Sequence, residues 1–168
     1  MIYANMGILE AGALASHFTL LGLDGREYSV PASLAGQPAL LVFFKTSCAT
    51  CDLTFPYVSR LRGAYPDGWH CWAVSQDPPE RSRDYARRYG LAGPVLIDAP
   101  EYAASRLYDP PATPTLFLIG ADARVEYTTY GFVKDDINEI ARRLAAHLGA
   151  EQLVIAPEKD GNPAFKPG

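Results

Sequence analysis

Two cysteines three residues apart separate a wholly apolar run from a segment with helical periodicity, and this arrangement constrains the fold more than any other feature. The run Ala39–Phe44 (ALLVFF) follows the turn residues Gly36-Gln-Pro38. It therefore predicts a central strand covered on both faces. Cys48 and Cys51 come next. Apolar residues then recur at a spacing compatible with a helix, at Leu53, Val58, Leu61 and Ala64.

The predicted helix N-terminus favours a reactive thiolate at Cys48. A free cysteine has a pKa near 8.5, so about 3% of it is ionised at pH 7. Unpaired N–H groups and the positive end of the helix dipole stabilise a thiolate. Cys51 lies one turn later, where it can attack a mixed disulfide at Cys48 and release the substrate reduced. We therefore predict that Cys48 attacks and Cys51 resolves.

Three other roles for the pair remain open. A zinc site needs a second pair of ligands, but the histidines are scattered at His17, His70 and His147. A structural disulfide closing so short a loop constrains little of the unfolded chain. The pair could also be two buried core cysteines. A third cysteine, Cys71, stands alone in an apolar, Trp-containing segment and is predicted to be a small core residue.

The rest of the chain alternates between strand and helix patterns in the order ββ, βαβα, βαββα. This order predicts an α/β fold with a central mixed sheet, helices on both faces and an N-terminal β-hairpin extension. The hairpin spans residues 18–29 around Asp24-Gly25. An amphipathic helix is predicted over Asp135–Leu148, capped by Asp135 or Asp136.

We divide the chain into a lead-in (1–14), one domain (15–149) and a C-terminal extension (150–168). Leu153–Ile155 is apolar and could dock on the domain. The rest of the extension contains Pro157, Pro163 and Pro167 and is expected to be disordered.

Composition excludes several classes of protein. The net charge is −4 and no cluster of basic residues is present, which argues against nucleic-acid binding. No run approaches the roughly 20 apolar residues that span a membrane. The first 25 residues contain Glu10 and Asp24 but no Lys or Arg. A secretory signal needs a basic start, so we predict a cytoplasmic location and no membrane span.

Several ordered motifs together resemble a known family. They are Ala15–Leu20, Leu23–Gly25, Leu41–Cys51, Pro56, Pro94–Asp98, Thr113–Ile119 and Gly131. The chain resembles the thioredoxin superfamily, in the branch that includes TlpA- and ResA-like proteins and grades into the peroxiredoxins. The resemblance covers roughly Ala15 to Leu148. It implies a thioredoxin-like fold and thiol–disulfide exchange with protein substrates.

The resemblance also implies a site. Thr113-Pro114 matches the X-Pro that thioredoxin folds hold in cis beside the disulfide, with backbone free to pair with an extended substrate. Lys45, Thr46 and Ser47 would support the cysteines. We expect no cofactor and no metal, a reducing partner of unknown identity, and a monomer or weak dimer.

The chain departs from the family at four places. Ser47 replaces the usual Trp before the first cysteine, and Ala49-Thr50 replaces a dipeptide that often contains Pro. Val42 stands where thioredoxins carry a buried Asp, and Thr54 where ResA-like reductases carry Glu. Neither familiar proton acceptor is present. Water, Lys45 or a carboxylate such as Asp98 could serve instead, and the residues do not choose between them.

Two alternative functions remain. A thiol peroxidase needs Pro-x-x-x-Thr/Ser-x-x-Cys, and the chain has Leu41 and Lys45 at those places before Cys48. A redox-inert or copper-binding adaptor is the other alternative. Copper-handling relatives usually have a His near the X-Pro loop, and no His lies between Cys71 and His147.

Overall fold

In the computed structural model, which describes residues 7–91 and 93–168, seven strands form one mixed sheet. They are β1 (Phe18–Gly22), β2 (Glu27–Val30), β3 (Ala39–Phe44), β4 (His70–Ser75), β5 (Val95–Ile97), β6 (Thr115–Ile119) and β7 (Val125–Tyr130). A separate pair consists of β8 (Phe132–Val133) and β9 (Phe165–Lys166). The helices are α1 (Ala49–Ala64), α2 (Pro79–Tyr89), α3 (Ala103–Tyr108) and α4 (Lys134–Leu148).

The sheet has the strand order β2-β1-β5-β4-β3-β6-β7. Strands β3, β4 and β5 are parallel, while β1 and β6 run antiparallel to their neighbours β5 and β3. The predicted mixed sheet is therefore confirmed. The N-terminal hairpin joins the sheet through the pairing of β1 with β5.

Strand β3 is buried on both faces, as its unbroken apolar run predicts. Leu40, Val42 and Phe44 pack in one core with α1, α2 and α4. The alternate residues of β3 face a second core, which includes α3 and the 3-10 turn Ala32–Leu34. Two cores on opposite faces of one sheet hold β3 rigidly, and this strand leads directly into the cysteine pair.

The predicted cap of the last helix is wrong. Helix α4 begins at Lys134, and its N-cap Val133 makes no side-chain capping bond. The aspartates therefore lie in the first turn, where the positive end of the dipole still favours them. Asp136 accepts hydrogen bonds from the hydroxyls of Tyr127 (2.6 Å) and Thr129 (2.5 Å), so it ties α4 to β7.

The two ends of the chain both contact the domain. Residues 1–6 of the predicted lead-in lie outside the described residues, and the rest of the lead-in bonds to it through Leu9 and Gly12. In the C-terminal extension, Ile155 is buried but Leu153 and Val154 are exposed, so the predicted docking of Leu153–Ile155 is confirmed for Ile155 alone. The expected disorder beyond it is wrong, because residues 157–168 make specific contacts with α4, α1 and the β8 strand. No helix within the described ranges has the length and apolarity needed to cross a bilayer.

Candidate active site

The cysteine pair lies at the junction between β3 and α1, at the carboxyl end of the parallel strands. Cys48 is the N-cap of α1, with extended backbone angles, and its sulfur accepts a hydrogen bond from the Cys51 amide at 3.0 Å. The same kind of bond is made by capping oxygens at helix N-termini. A thiolate at Cys48 therefore satisfies a helix donor that would otherwise lack a partner.

The surroundings of Cys48 favour its ionised form. Hydrogen bonding from the Cys51 thiol, followed by bonds from the Thr113 side chain and the amides of Cys51 and Thr50, lowers the pKa of Cys48 to about 6 against the opposing effect of burial. At pH 7 a group with that pKa is about 90% ionised. The thiolate is thus the predominant form at neutral pH, as the position of the residue in the sequence predicts.

Cys51 is in the opposite situation. Its side chain is buried in the core beneath α1. Burial, followed by the hydrogen bond to Cys48 and the charge of that thiolate, raises the pKa of Cys51 well above its usual range. The two cysteines therefore differ in both reactivity and exposure, since Cys48 is only half-buried.

The X-Pro loop before β6 faces the pair. The Thr113–Pro114 peptide is cis. In its protonated form the Cys48 thiol donates a hydrogen bond to the Thr113 carbonyl oxygen, with a sulfur–oxygen distance of 3.1 Å. The Pro114 carbonyl accepts the Gly131 amide at 2.8 Å, which fixes the loop on its far side. The structure thus brings together Cys48, Cys51, Thr113 and Pro114.

The three residues predicted to support the cysteines form the turn between β3 and Cys48. The Lys45 carbonyl accepts the Cys48 amide at 3.3 Å, while the side chains of Lys45 and Ser47 are exposed. The Thr46 amide donates to the carboxylate of Asp77 at 2.7 Å. Asp77 follows β4 and holds this turn in place. No local pattern in the sequence marks Asp77 for this role, because only the pairing of β3 with β4 brings the ends of these two strands together.

Of the carboxylates considered as proton acceptors, Asp98 is engaged at the start of α3. Both carboxylate oxygens of Asp98 accept bonds from the start of α3, from the amides of Ala104 (2.9 Å) and Ser105 (2.8 Å) and from the Ser105 hydroxyl. Asp98 is therefore a helix cap, at the end of a strand that is two strands away from β3. A different carboxylate, Asp52, lies next to Cys51 in the chain and accepts the Tyr85 hydroxyl at 2.9 Å.

Cys71 lies in β4 and is 5% exposed. Burial raises its pKa to about 12, so it is almost entirely a protonated thiol at neutral pH. It packs in the core against which α1 and α4 rest, and the prediction of a core residue is confirmed.

The comparison with known proteins agrees with this geometry. A family model described as the AhpC/TSA family matches residues 11–128. The chain belongs to the AhpC/TSA family. The chain is also similar to the thiol-disulfide oxidoreductase ResA of Geobacillus thermodenitrificans (strain NG80-2), with 30% identity over 145 residues, or 82% of each chain.

Solved structures also resemble this AhpC/TSA family member. A putative thiol:disulfide interchange protein DsbE from Chlorobium tepidum superposes with a TM-score of 0.75 at 26% identity, covering 84% of this chain and 99% of that one. A secreted Mycobacterium tuberculosis disulfide oxidoreductase homologous to E. coli DsbE gives a TM-score of 0.64 at 25% identity, covering 77% and 95%. The chain is a ResA-like thiol–disulfide oxidoreductase with a thioredoxin fold, as the sequence predicts.

Proposed function

We propose that the chain exchanges electrons with protein disulfides through Cys48 as the attacking thiolate and Cys51 as the resolving thiol. The observation that carries this assignment is the opposite environment of the two sulfurs. Cys48 is half-buried with a pKa of about 6, whereas Cys51 is buried with a raised pKa. Only Cys48 can meet a substrate as a thiolate.

The first step is attack by the Cys48 thiolate on one sulfur of a substrate disulfide. A Cys48–substrate disulfide forms, and the other substrate sulfur leaves as a thiolate. The negative charge on Cys48 disappears in this step. Two of the causes that raise the pKa of Cys51 are its hydrogen bond to Cys48 and the charge of that residue. The pKa of Cys51 therefore falls once the mixed disulfide has formed, which is the stage at which the Cys51 thiolate has to attack.

The second step is attack by the Cys51 thiolate on Cys48. The Cys48–Cys51 disulfide forms, the substrate leaves with both of its sulfurs reduced, and the Cys51 proton passes to the departing sulfur or to water. The substrate gains two electrons and the protein loses two. A reducing partner then returns the pair to the dithiol, or the whole sequence runs backwards and oxidises a substrate dithiol.

The X-Pro loop would hold the substrate during these steps. Thr113 lies beside Cys48, and its backbone is a suitable edge for pairing with an extended polypeptide. Protein substrates follow from the oxidoreductase class. We also propose that a reducing partner recycles the pair, that the protein is a monomer or weak dimer, and that one domain spans residues 15–149 between the lead-in and the C-terminal extension.

Single cysteine variants test the residue roles. Cys48→Ala should lower the rate of disulfide reduction by about a thousandfold or more, since it removes the nucleophile. Cys51→Ala should accumulate a mixed disulfide at Cys48, seen as a mass increase that a reductant reverses. The matched control Cys71→Ala should retain the wild-type rate. Retention of activity in Cys48→Ala would refute the proposal.

The direction of exchange depends on the compartment. The cytoplasmic location predicted from the sequence stays a prediction, and one solved relative is described as secreted. The reduction potential of the Cys48–Cys51 pair, measured in a glutathione buffer, separates the two cases. A value of about −270 mV would indicate a reductant, and a value of about −120 mV an oxidant.

A further inference from the structure

The end of the C-terminal extension lies against the cysteine pair. Residues 164–168, which we call the strap, include β9, whose partner β8 follows Gly131, the residue whose amide donates to the Pro114 carbonyl. The Thr50 hydroxyl, inside the Cys48–Cys51 motif, donates to the Pro167 carbonyl at 2.6 Å. Gly168 packs so closely on the X-Pro loop that a β-carbon there would lie 2.8 Å from the carbonyl oxygen of Thr113.

The segment before the strap is firmly attached. The buried ammonium of Lys134 donates to the carbonyls of Pro157 (2.9 Å) and Asn162 (2.9 Å) and to the Asp160 carboxylate (2.6 Å), and contacts the Glu158 carbonyl (3.2 Å). Its side chain is only 4% exposed. An internal cation therefore organises residues 157–162, which we call the anchor.

The strap itself is attached much more weakly than the anchor. Phe165 is 60% exposed, and the other strap residues are exposed or half-buried. Its bonds are those of the short β8–β9 pair, the Lys134 amide to Ala164 at 3.0 Å, and the Thr50 hydroxyl. Segments with few buried contacts open at low free energy. The strap can thus leave the active site while the anchor stays in place.

The strap lies where an extended substrate would pair. Gly168 contacts the Thr113 backbone, and Thr113 is the residue whose carbonyl faces the Cys48 sulfur. Cys48 nevertheless stays partly exposed with the strap in position. A small disulfide can therefore reach the sulfur directly. A polypeptide that pairs along Thr113 would instead clash with the strap residues that already pack there.

We propose that residues 164–168 select the substrates of Cys48: small disulfides react with the strap in place, and extended polypeptides react only when they displace it. This inference rests on the proposed function and adds a specificity element to the same site. Thr50 is then a positioning residue, because its hydroxyl holds the strap on the loop.

A pair of matched probes tests the inference independently of the direction of exchange. One is cysteine joined to thionitrobenzoate through a disulfide, and the other is an extended peptide with the same activated cysteine at its centre. In both, the Cys48 thiolate forms a disulfide with the cysteine sulfur and releases coloured thionitrobenzoate thiolate. The ratio of the two rate constants cancels any change in the reactivity of Cys48.

Gly168→Val should displace the strap, because its side chain would overlap the Thr113 carbonyl. We expect the peptide rate to rise about fivefold, the size of effect that one hydrogen bond supports, and the cysteine probe to change less than about twofold. The matched control is Gly63→Val, since a β-carbon at Gly63 meets nothing within 4 Å. It should leave both rates unchanged.

A second pair of variants tests the hydrogen bond from the Thr50 hydroxyl to the Pro167 carbonyl. Thr50→Val removes the hydroxyl and should raise both the peptide-to-cysteine rate ratio and amide hydrogen exchange in residues 164–168. Thr50→Ser keeps a hydroxyl and should restore the wild-type ratio. If hydrogen exchange shows that the strap is released and the ratio stays constant or falls, the inference is overturned. If wild type reacts with neither probe, the proposed function fails instead.

Discussion

The amide of Cys51 donates to the sulfur of Cys48 at 3.0 Å, so the residue that we propose as the resolving thiol also supports the thiolate that we propose as the nucleophile. The contact is a helix-capping bond in which sulfur replaces the usual oxygen. One turn of α1 thus fixes the distance between the two sulfurs, and it contributes to the difference between their pKa values.

The rate of Cys48 alkylation by iodoacetamide should rise with pH around a midpoint of about 6, the pKa of its thiol. The Cys51 thiol provides the largest lowering effect. In Cys51→Ala the midpoint should therefore move to higher pH, although the backbone amide remains. An unchanged midpoint in Cys51→Ala would show that the amide alone sets the pKa. Cys48→Ala serves as the blank.

The stability of the reduced protein should depend on the Cys48 charge. The folded-state pKa of about 6 lies below the value of about 8.5 for an unfolded cysteine. The thiolate therefore contributes stability that is fully present above the unfolded value and is lost as the pH falls through the folded one. Urea unfolding of wild type and Cys48→Ala should show a difference that increases from about pH 6 to about pH 8.5. A difference that does not vary with pH would contradict this.

Asp98→Ala should weaken the fold and leave the chemistry intact. Its carboxylate caps α3 through two amides, and losing such a cap costs about 1–2 kcal/mol. We expect the folded protein to reduce disulfides at close to the wild-type rate, because the Asp98 carboxylate bonds to α3 and not to either cysteine. Stopped-flow rates and urea unfolding on the same samples separate the effects. A large loss of rate at full folding would identify Asp98 as a proton acceptor.

Lys134→Met should destabilise the protein far more than Arg60→Met does. Both cations face the Asp160 carboxylate, but the Lys134 side chain is 4% exposed and that of Arg60 51%. Removing the buried partner should cost on the order of 2 kcal/mol or more, whereas an exposed pair contributes at most about 1 kcal/mol. Hydrogen exchange should also show residues 157–162 opening in Lys134→Met alone. Equal effects of the two variants would disprove the conclusion that Lys134 organises the anchor.

The pH at which acid releases the anchor depends on the Asp160 carboxylate. Hydrogen bonds from Lys134 and then Tyr57 hold the pKa of Asp160 below its ordinary value of 3.8. Its contribution to stability is thus present above that value and is lost as the pH falls through the lower folded pKa. Acid titration followed by hydrogen exchange should show the protection of residues 157–162 in wild type beginning to fall below pH 3.8 and being lost only as the pH approaches the lower folded pKa of Asp160. In Asp160→Asn these residues should exchange with no such transition.

Local patterns were sufficient for most of the fold and for the placement of the cysteine pair. An apolar run followed by Cys48 and Cys51 predicts a buried strand, a helix and a thiolate at their junction, because each feature depends on neighbours in the chain. The buried state of Cys71 was predicted in the same way. The cap of α4 failed because a one-residue shift in a helix start changes which side chain is the cap, and local patterns do not resolve such shifts.

Contacts between distant residues depended on the tertiary structure. Asp77 reaches Thr46 because β3 and β4 are adjacent, and Asp98 becomes a helix cap because of how the chain turns after β5. The extension was expected to be disordered from its prolines, yet a buried Lys134 gives its carbonyls a common partner. By itself the sequence determined the strand, the helix and the position of Cys48 at their junction. Only the tertiary structure decided what lies beside Cys48, because hydrogen bonds between residues more than a hundred positions apart, such as Thr50 and Pro167, leave no periodic pattern in a sequence.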